Sequence, residues 1–442
     1  YRQTPKYCRY SAYMVKSIDY LRILKITLKR TKKQTKMSKH TLMFGWEYPP
    51  RHLGGLGVAC QGLVRGLLGH GAKITLVLPS SQAHKDNGME VVSPTEEHIR
   101  TVRINSNLQP YDSPTSFAQN ISSHTDSEIP LYGEDLGHAV HEFTECAVKM
   151  TKDTKPDVVH SHDWMTFEAG RRAAKYHNVP FVAQIHATEL DRTHFKPNQW
   201  IYNKEKSGLE AADHIITVSG YTKNILIKEY GIDSNKIEVV HNGAYTAFDT
   251  PPPLEASSIV AEEKHPLILF LGRLTVQKGA FHFLEAARLA HNHNPDIRFV
   301  VAGEGYLLGE LIDRACEMGL RDTIMFAGKV SSDEAKKLYK QASCFVMPST
   351  SEPFGLVALE AITHETPVIV SKQSGVSEVL NHSFQIDFWD IDKLSDCMLT
   401  VIREKPLAAQ LRSQALSCVH KLSWENQAAK VLSVYNKILP HD

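Results

Sequence analysis

Two doubly wound α/β domains facing each other across a cleft are what this sequence predicts, and three observations predict them. At 442 residues the chain exceeds one compact domain. Short apolar runs alternate with helix-period stretches, the pattern of parallel strands joined by helical crossovers. The alternation breaks once, at Pro251, Pro252, Pro253 and the polar stretch after them, and then restarts.

The first domain is expected over residues 37–250. Strands are expected at 41–45, 73–78, 157–160, 181–185, 214–218 and 237–241, with helices at 58–68 and 136–150. Residues 84–130 read as a polar, irregular insertion carrying one or two strands, near 90–92 and 101–104. Residues 251–264 read as a linker, and 265–422 as the second domain, with strands at 267–271, 298–302, 323–327, 344–347 and 367–370. Residues 423–442 are expected to form a long helix, its apolar positions falling at Ala428, Val431, Leu432 and Tyr435.

Composition narrows the function classes. The formal net charge is +1, yet residues 1–36 alone hold eleven Lys/Arg against the single acid Asp19. Residues 37–442 therefore carry −9, which argues against nucleic acid as the main partner. The leader's apolar stretch is broken by Arg22 and Lys25, so it is not a secretory signal. We read residues 1–36 as disordered or not native, with initiation at Met37; a targeting peptide or basic arm is the alternative. No run approaches the ~20 apolar residues that span a membrane. The seven cysteines are scattered without a CxxC, which suits reduced thiols in a cytoplasmic protein.

Open parallel sheets bind ligands outside the carboxyl ends of their strands, so the informative residues should come directly after strands. Gly272-Arg273 directly follows one, and Lys278-Gly279 opens the next helix. A guanidinium fork and an ammonium on one loop above a helix start suit a diphosphate. After strand 344–347 comes Ser351-Glu352-Pro353-Phe354-Gly355-Leu356-Val357, then Glu360 within the helix. Backbone N–H groups at Gly355 and Leu356 are placed to meet an anion, and Gly355 admits close approach. Glu352 is expected to reach a sugar hydroxyl and Glu360 a ribose. Taken singly, these basic residues fit a solvated loop and these acids a cap or a helix surface; the ordered string is what is specific. Gly303-Glu304-Gly305 also comes after a strand, though a lone GxG is a weak signal.

In the first domain, Gly54-Gly55-Leu56-Gly57 is a close-approach loop that would cover phosphates from the opposite side. It lacks the GK[ST] ending of a nucleotide-triphosphatase loop. His160-Ser161-His162-Asp163 and His186-Ala187-Thr188-Glu189 both end strands. A Zn or Mn site on the first string is the alternative reading; with no matched cluster to complete its shell, no metal is expected. Asp390-Ile391-Asp392 reads as a helix cap rather than a metal-holding DxD.

With these strings in hand, the chain resembles the retaining glycosyltransferases of the two-Rossmann (GT-B) class, family 4, and within it the compact glycogen/starch synthase-like branch. The likeness covers nearly all of residues 40–440. Its pieces are Phe44 to Pro50 with the Gly54–Gly57 loop, His162-Asp163-Trp164, His186 to Glu189, Gly272 to Gly279 and Ser351 to Glu360. The resemblance implies that Arg273 and Lys278 hold the donor diphosphate, that Glu352 meets donor-sugar hydroxyls and that Glu360 meets the ribose. It gives Gly355, Leu356 and Val357 backbone contacts, sets His186 near the reacting centre and lays Gly55 against the phosphates. Gly272 and Gly303 belong to the same donor site; Asp163 and Glu189 are expected near the sugar or acceptor. The final helix would cross back to the first domain. The sequence departs from the family pattern at His52-Leu53, where a Lys is common, at Ser374-Gly375 and at Ala244-Tyr245.

The implied activity is transfer of glucose from ADP- or UDP-glucose, a co-substrate rather than a cofactor, to a glycan, with the non-reducing end of an α-1,4-glucan preferred. A lipid-linked or small acceptor is the enzymatic alternative, and a degenerate glycan-binding homologue the non-enzymatic one. Nucleobase, oligomeric state and peripheral membrane contact are left open by the sequence.

Overall fold

The structure is a computed structural model that describes residues 39–48, 55–80, 88–90, 99–105, 136–244 and 265–439. The leader 1–36, Gly54, the linker 251–264 and much of the expected insertion lie outside the described residues.

The first eight strands are β1 (His40–Phe44), β2 (Lys73–Ser80), β3 (Gly88–Glu90), β4 (Ile99–Asn105), β5 (Val158–His162), β6 (Phe181–Ile185), β7 (His214–Thr217) and β8 (Ile237–Val239). They form one sheet in the order β3-β4-β2-β1-β5-β6-β7-β8. Its pairs are parallel except β3 with β4. The second sheet uses β9 (Leu267–Leu271), β10 (Arg298–Ala302), β11 (Ile324–Gly328), β12 (Cys344–Met347), β13 (Val368–Ser371) and β14 (Phe384–Ile386). Its order is β11-β10-β9-β12-β13-β14, parallel throughout. This is the two-Rossmann GT-B architecture. Central strands such as β6 and β12 are buried along their whole length, as sheets covered by helices on both faces require.

Several boundaries differ from the sequence reading by a few residues, and one strand is added. The strand expected at 90–92 is β3, ending at Glu90. The strand expected at 157–160 runs on to His162, because Ser161 and His162 extend the parallel pairing with β6. β14 was not expected: three residues with Gln385 at the centre carry little apolar signal, and pairing with β13 makes them a strand.

The last helix, Trp424–Ile438, packs on the helix Gly55–Gly69 of the first sheet's layer. Glycines allow this contact. A Cβ at Gly62 would lie 2.1 Å from the Trp424 ring, and one at Gly66 would lie 2.6 Å from the Trp424 carbonyl oxygen. Trp424, Ala428, Val431 and Tyr435 then join the core of Met43, Leu63 and Leu67. Trp424→Ala should cost about 3–5 kcal/mol, measured by chemical unfolding.

Candidate functional site

Both sheets reverse strand order at their centre, the second between β9 and β12, the first between β1 and β5. Such switch points open a crevice at the strands' carboxyl ends. A cavity of about 650 Å³ lies there. From the first half of the chain it is bordered by Gly55, Leu56, His186 and Asn242. From the second it is bordered by Gly272, Arg273 and Lys278, by Gly303, and by Glu352 with Gly355, Leu356 and Val357. Glu360, Asp163 and Glu189 are not among its lining residues.

The loops of the second sheet are locked to one another through backbone. Gly272 N–H donates to Ala302 O (3.0 Å), Gly303 N–H to Gly328 O (2.7 Å) and Leu274 N–H to Glu304 O (2.8 Å). Gly303 has φ +139°, and a Cβ there would sit 1.9 Å from Gly272 O. The loops after β9, β10 and β11 are therefore held against one another through main chain, with no room for a side chain at Gly303. Gly355, at φ +108°, starts the helix Leu356–Thr363, and no side chain caps that start. A helix start without a side-chain cap, beside Arg273 and Lys278, is an arrangement whose N–H groups and charges would favour an anion.

Lys278 does not wait alone in this cavity. Its Nζ meets Glu352 Oε2 at 2.5 Å, and Ser349 Oγ lies 3.4 Å from the same oxygen. The Glu352 side chain is only 8% exposed. A buried carboxylate without a partner would be costly, so each charge holds the other in place. Arg273 is exposed, with Nη2 3.5 Å from Gln277 Oε1. Glu360 points elsewhere: its Oε2 accepts from the Tyr339 hydroxyl (3.2 Å), and burial raises its carboxyl above the usual range.

His186 comes directly after β6, and its backbone N–H donates to Asp163 Oδ1 at 2.7 Å. Asp163 thus acts behind the cavity wall, holding the turn that carries His186. It does so at φ 61°, ψ 167°, a conformation nearly reserved for glycine that costs about 1–3 kcal/mol. Glu189 is turned away from the cavity into buried contacts, accepting from Asn198 N (3.0 Å) and from Arg192 Nε (3.3 Å).

Behind His186 runs a file of buried histidines. His162 Nδ1 lies 2.9 Å from His186 Nε2, the rings of His160 and His162 stack at 4.5 Å, and His160 Nδ1 lies 2.6 Å from the Tyr435 hydroxyl. Strand alternation puts residues 160 and 162 on one face of β5. The His160 and His162 rings thus stand in line behind His186, and among the described residues no group of three metal-ligating side chains is assembled. Asp390, the other metal alternative in the sequence, caps its helix by accepting from Lys393 N at 3.1 Å.

Burial pushes His160 down to about 3, His186 down to about 4 and His162 well below the usual 6.5. Between pH 6.5 and 4 the unfolded chain binds more protons at these rings than the folded one, so their contribution falls as pH drops through that window. Asp163, raised by burial to about 6, acts in the opposite sense, as do Glu205, raised to about 7, and Asp191 and Glu360, both raised by burial.

Several site residues were missed in the sequence. Asp191 Oδ1 accepts from Ser351 Oγ at 2.5 Å, joining the first sheet's loops to the Glu352 loop. Glu378 accepts from Gly220 N (2.9 Å) and Tyr221 N (2.7 Å), capping a first-sheet helix from the second half of the chain, and His241 Nε2 lies 2.9 Å from it. Glu47 accepts from Gly57 N at 3.0 Å and caps the helix of the glycine loop. Only Glu47 carried a local signal, an acid eight residues before that helix start.

Known proteins match along nearly the same span. The family described as Glycosyltransferase Family 4 matches residues 53–248, and that described as Glycosyl transferases group 1 matches residues 254–417. An uncharacterized glycosyltransferase of Methanocaldococcus jannaschii is 30% identical over 415 residues, covering 89% of this chain and 97% of its own. Glycogen synthase of Mycobacterium tuberculosis is 28% identical over 405 residues, covering 89% of this chain and 94% of its own. Among solved structures, an Anabaena protein in complex with UDP and glucose superposes with a TM-score of 0.63 at 17% identity, covering 90% of this chain and all of its own.

Proposed function

The chain belongs to the glycosyltransferases, pairing a Family 4 half with a group 1 half, and from that premise we propose that it moves glucose from ADP- or UDP-glucose to the non-reducing end of an α-1,4-glucan with retention of configuration. The observation that carries this reading is the cavity in which Arg273, Lys278 and the start of helix Leu356–Thr363 converge beside His186. Glycogen synthase is the relative that supports the acceptor, and the UDP and glucose of the Anabaena structure support the donor class.

In this reading Arg273, Lys278 and the N–H groups of Leu356 and Val357 bind the diphosphate, against which Gly55, Gly272, Gly303 and Gly355 lie without side chains. Glu352 meets sugar hydroxyls while its other contact steadies Lys278. His186 borders the sugar, Asp163 holds His186 in register, and Glu189 steadies Arg192, whose Nη1 donates to Ala187 O beside His186. Glu360 reaches the ribose once Tyr339 yields it.

The difficult step is departure of a diphosphate as positive charge grows at the anomeric carbon. Fixed cations at the leaving oxygen supply this, each donor being worth about 10²–10³ in rate. Among the described residues the carboxylates lining the cavity are Glu304 and Glu352, and Glu352 is held by Lys278. That favours front-face attack: the acceptor oxygen bonds to the anomeric carbon as the bond to the phosphate breaks, and the departing phosphate takes the acceptor's proton. The test is nucleotide release from ADP- and UDP-glucose with glycogen as acceptor. Growth of labelled glycogen with one of these donors is the expected result. Transfer only to a lipid extract would overturn the acceptor, and donor binding without turnover would overturn the enzyme reading.

A further inference from the structure

We propose that His162 is a positioning residue that fixes His186 in one tautomer, with the proton on Nδ1, so that His186 meets a bound sugar as a hydrogen-bond donor and cannot act as a base. The sugar part of this rests on the donor-site reading above; the tautomer part does not.

One proton is shared across the 2.9 Å contact between His162 Nδ1 and His186 Nε2. There are two ways to place it. If His186 donates from Nε2, neutral His162 must carry its own proton on Nε2. That nitrogen is buried and has no partner. A buried N–H without an acceptor is the rarest and costliest orphan in a folded protein. If His162 donates from Nδ1 instead, its Nε2 keeps only an unpaired lone pair, which is tolerated more readily. His186 then accepts at Nε2 and, being neutral, holds its proton on Nδ1.

The surroundings enforce this choice. His162 is 1% exposed and stacks on His160. His160 is anchored by the Tyr435 hydroxyl on the last helix, so rotation of the His162 ring would have to displace a packed neighbour. Protonating both rings of the pair would bury charge. His186 is 8% exposed and lines the cavity, with Nδ1 the ring nitrogen left for a bound molecule. A ring that only donates can hold a sugar oxygen or steady negative charge; it cannot take the acceptor's proton, and that task stays with the phosphate.

The test labels the histidines of the full chain with ¹⁵N and reads two-bond ¹H–¹⁵N couplings, which distinguish the two tautomers. His186→Gln identifies the His186 signals by their loss. The wild type should show the Nδ1–H pattern at His186. His162→Phe removes the donor and should shift His186 toward Nε2–H; His162→Asn, whose amide N–H stands where Nδ1–H stood, should restore Nδ1–H. In parallel, kcat should fall by about 10–100-fold in His162→Phe with KM little changed, and recover in His162→Asn. An Nε2–H pattern in the wild type, or an unchanged pattern in a folded His162→Phe, overturns the proposal. If His162→Phe fails to fold, the wild-type spectrum still decides it. Since the spectra need no substrate, the tautomer stands even if no donor and acceptor pair turns over, an outcome that would sink the transferase reading alone.

Discussion

Replacing Lys278 with alanine should reduce turnover by about 10²–10³-fold or more while the chain stays folded. Two losses combine. The ammonium no longer meets the departing phosphate, and Glu352 is left as a carboxylate 8% exposed without its 2.5 Å partner. An unpaired buried polar group costs about 1–3 kcal/mol, so the unfolding midpoint should drop by several degrees without collapse. The combined change Lys278→Met with Glu352→Gln removes the stranded charge; it should regain stability and not turnover. Steady-state kinetics with thermal unfolding checks both, and near-normal kcat in Lys278→Ala would remove the ammonium from the mechanism.

Gly279→Ala should be as damaging, through backbone alone. Gly279 sits at φ +72°, and a Cβ there would come 1.9 Å from Pro348 O and 2.8 Å from Pro348 C. A left-handed residue with a side chain costs about 1–2 kcal/mol, and the overlap must be relieved by moving main chain. The two segments being forced apart carry Lys278 and Glu352. A misplacement near 1 Å can cost about 10²-fold in rate, so activity should fall by that order together with stability. Gly309→Ala is the control: nothing lies within 4 Å of its added Cβ, and it lies in the first turn of the helix Leu308–Glu317. That variant should be neutral or more stable by about 0.5–1 kcal/mol.

Much of this was legible in the sequence because it is local. The strand-loop-helix alternation sets two parallel sheets, and Arg273, Lys278, Glu352 and Gly355 stand in the loops at the carboxyl ends of strands, where such sheets bind ligands. The glycines of the site were visible as glycines, though not the carbonyls that exclude a Cβ at Gly303 and Gly279. What could not be read is what depends on distant partners. Lys278 and Glu352 are 74 residues apart, and no periodicity links them. Asp191 with Ser351 and Glu378 with Gly220 join segments 160 and 158 residues apart. The resemblance set Asp163 near the sugar or acceptor; that its carboxylate accepts from the backbone N–H of His186, 23 residues on, is a contact no local pattern shows. For Glu189 the clue was present, since Arg192 stands three residues on, at ion-pair spacing.

The most direct test compares the binding of a nucleoside diphosphate with that of its nucleoside, UDP against uridine and ADP against adenosine, by calorimetry. In the wild type the diphosphate should bind at least about 100-fold more tightly, since charge-assisted contacts are worth about 1.5–3 kcal/mol each. In the double variant Arg273→Ala with Lys278→Ala most of that advantage should vanish while nucleoside binding is unchanged. A double variant that still prefers the diphosphate by the wild-type factor would contradict the account, because the anion would then be held somewhere other than at these two side chains.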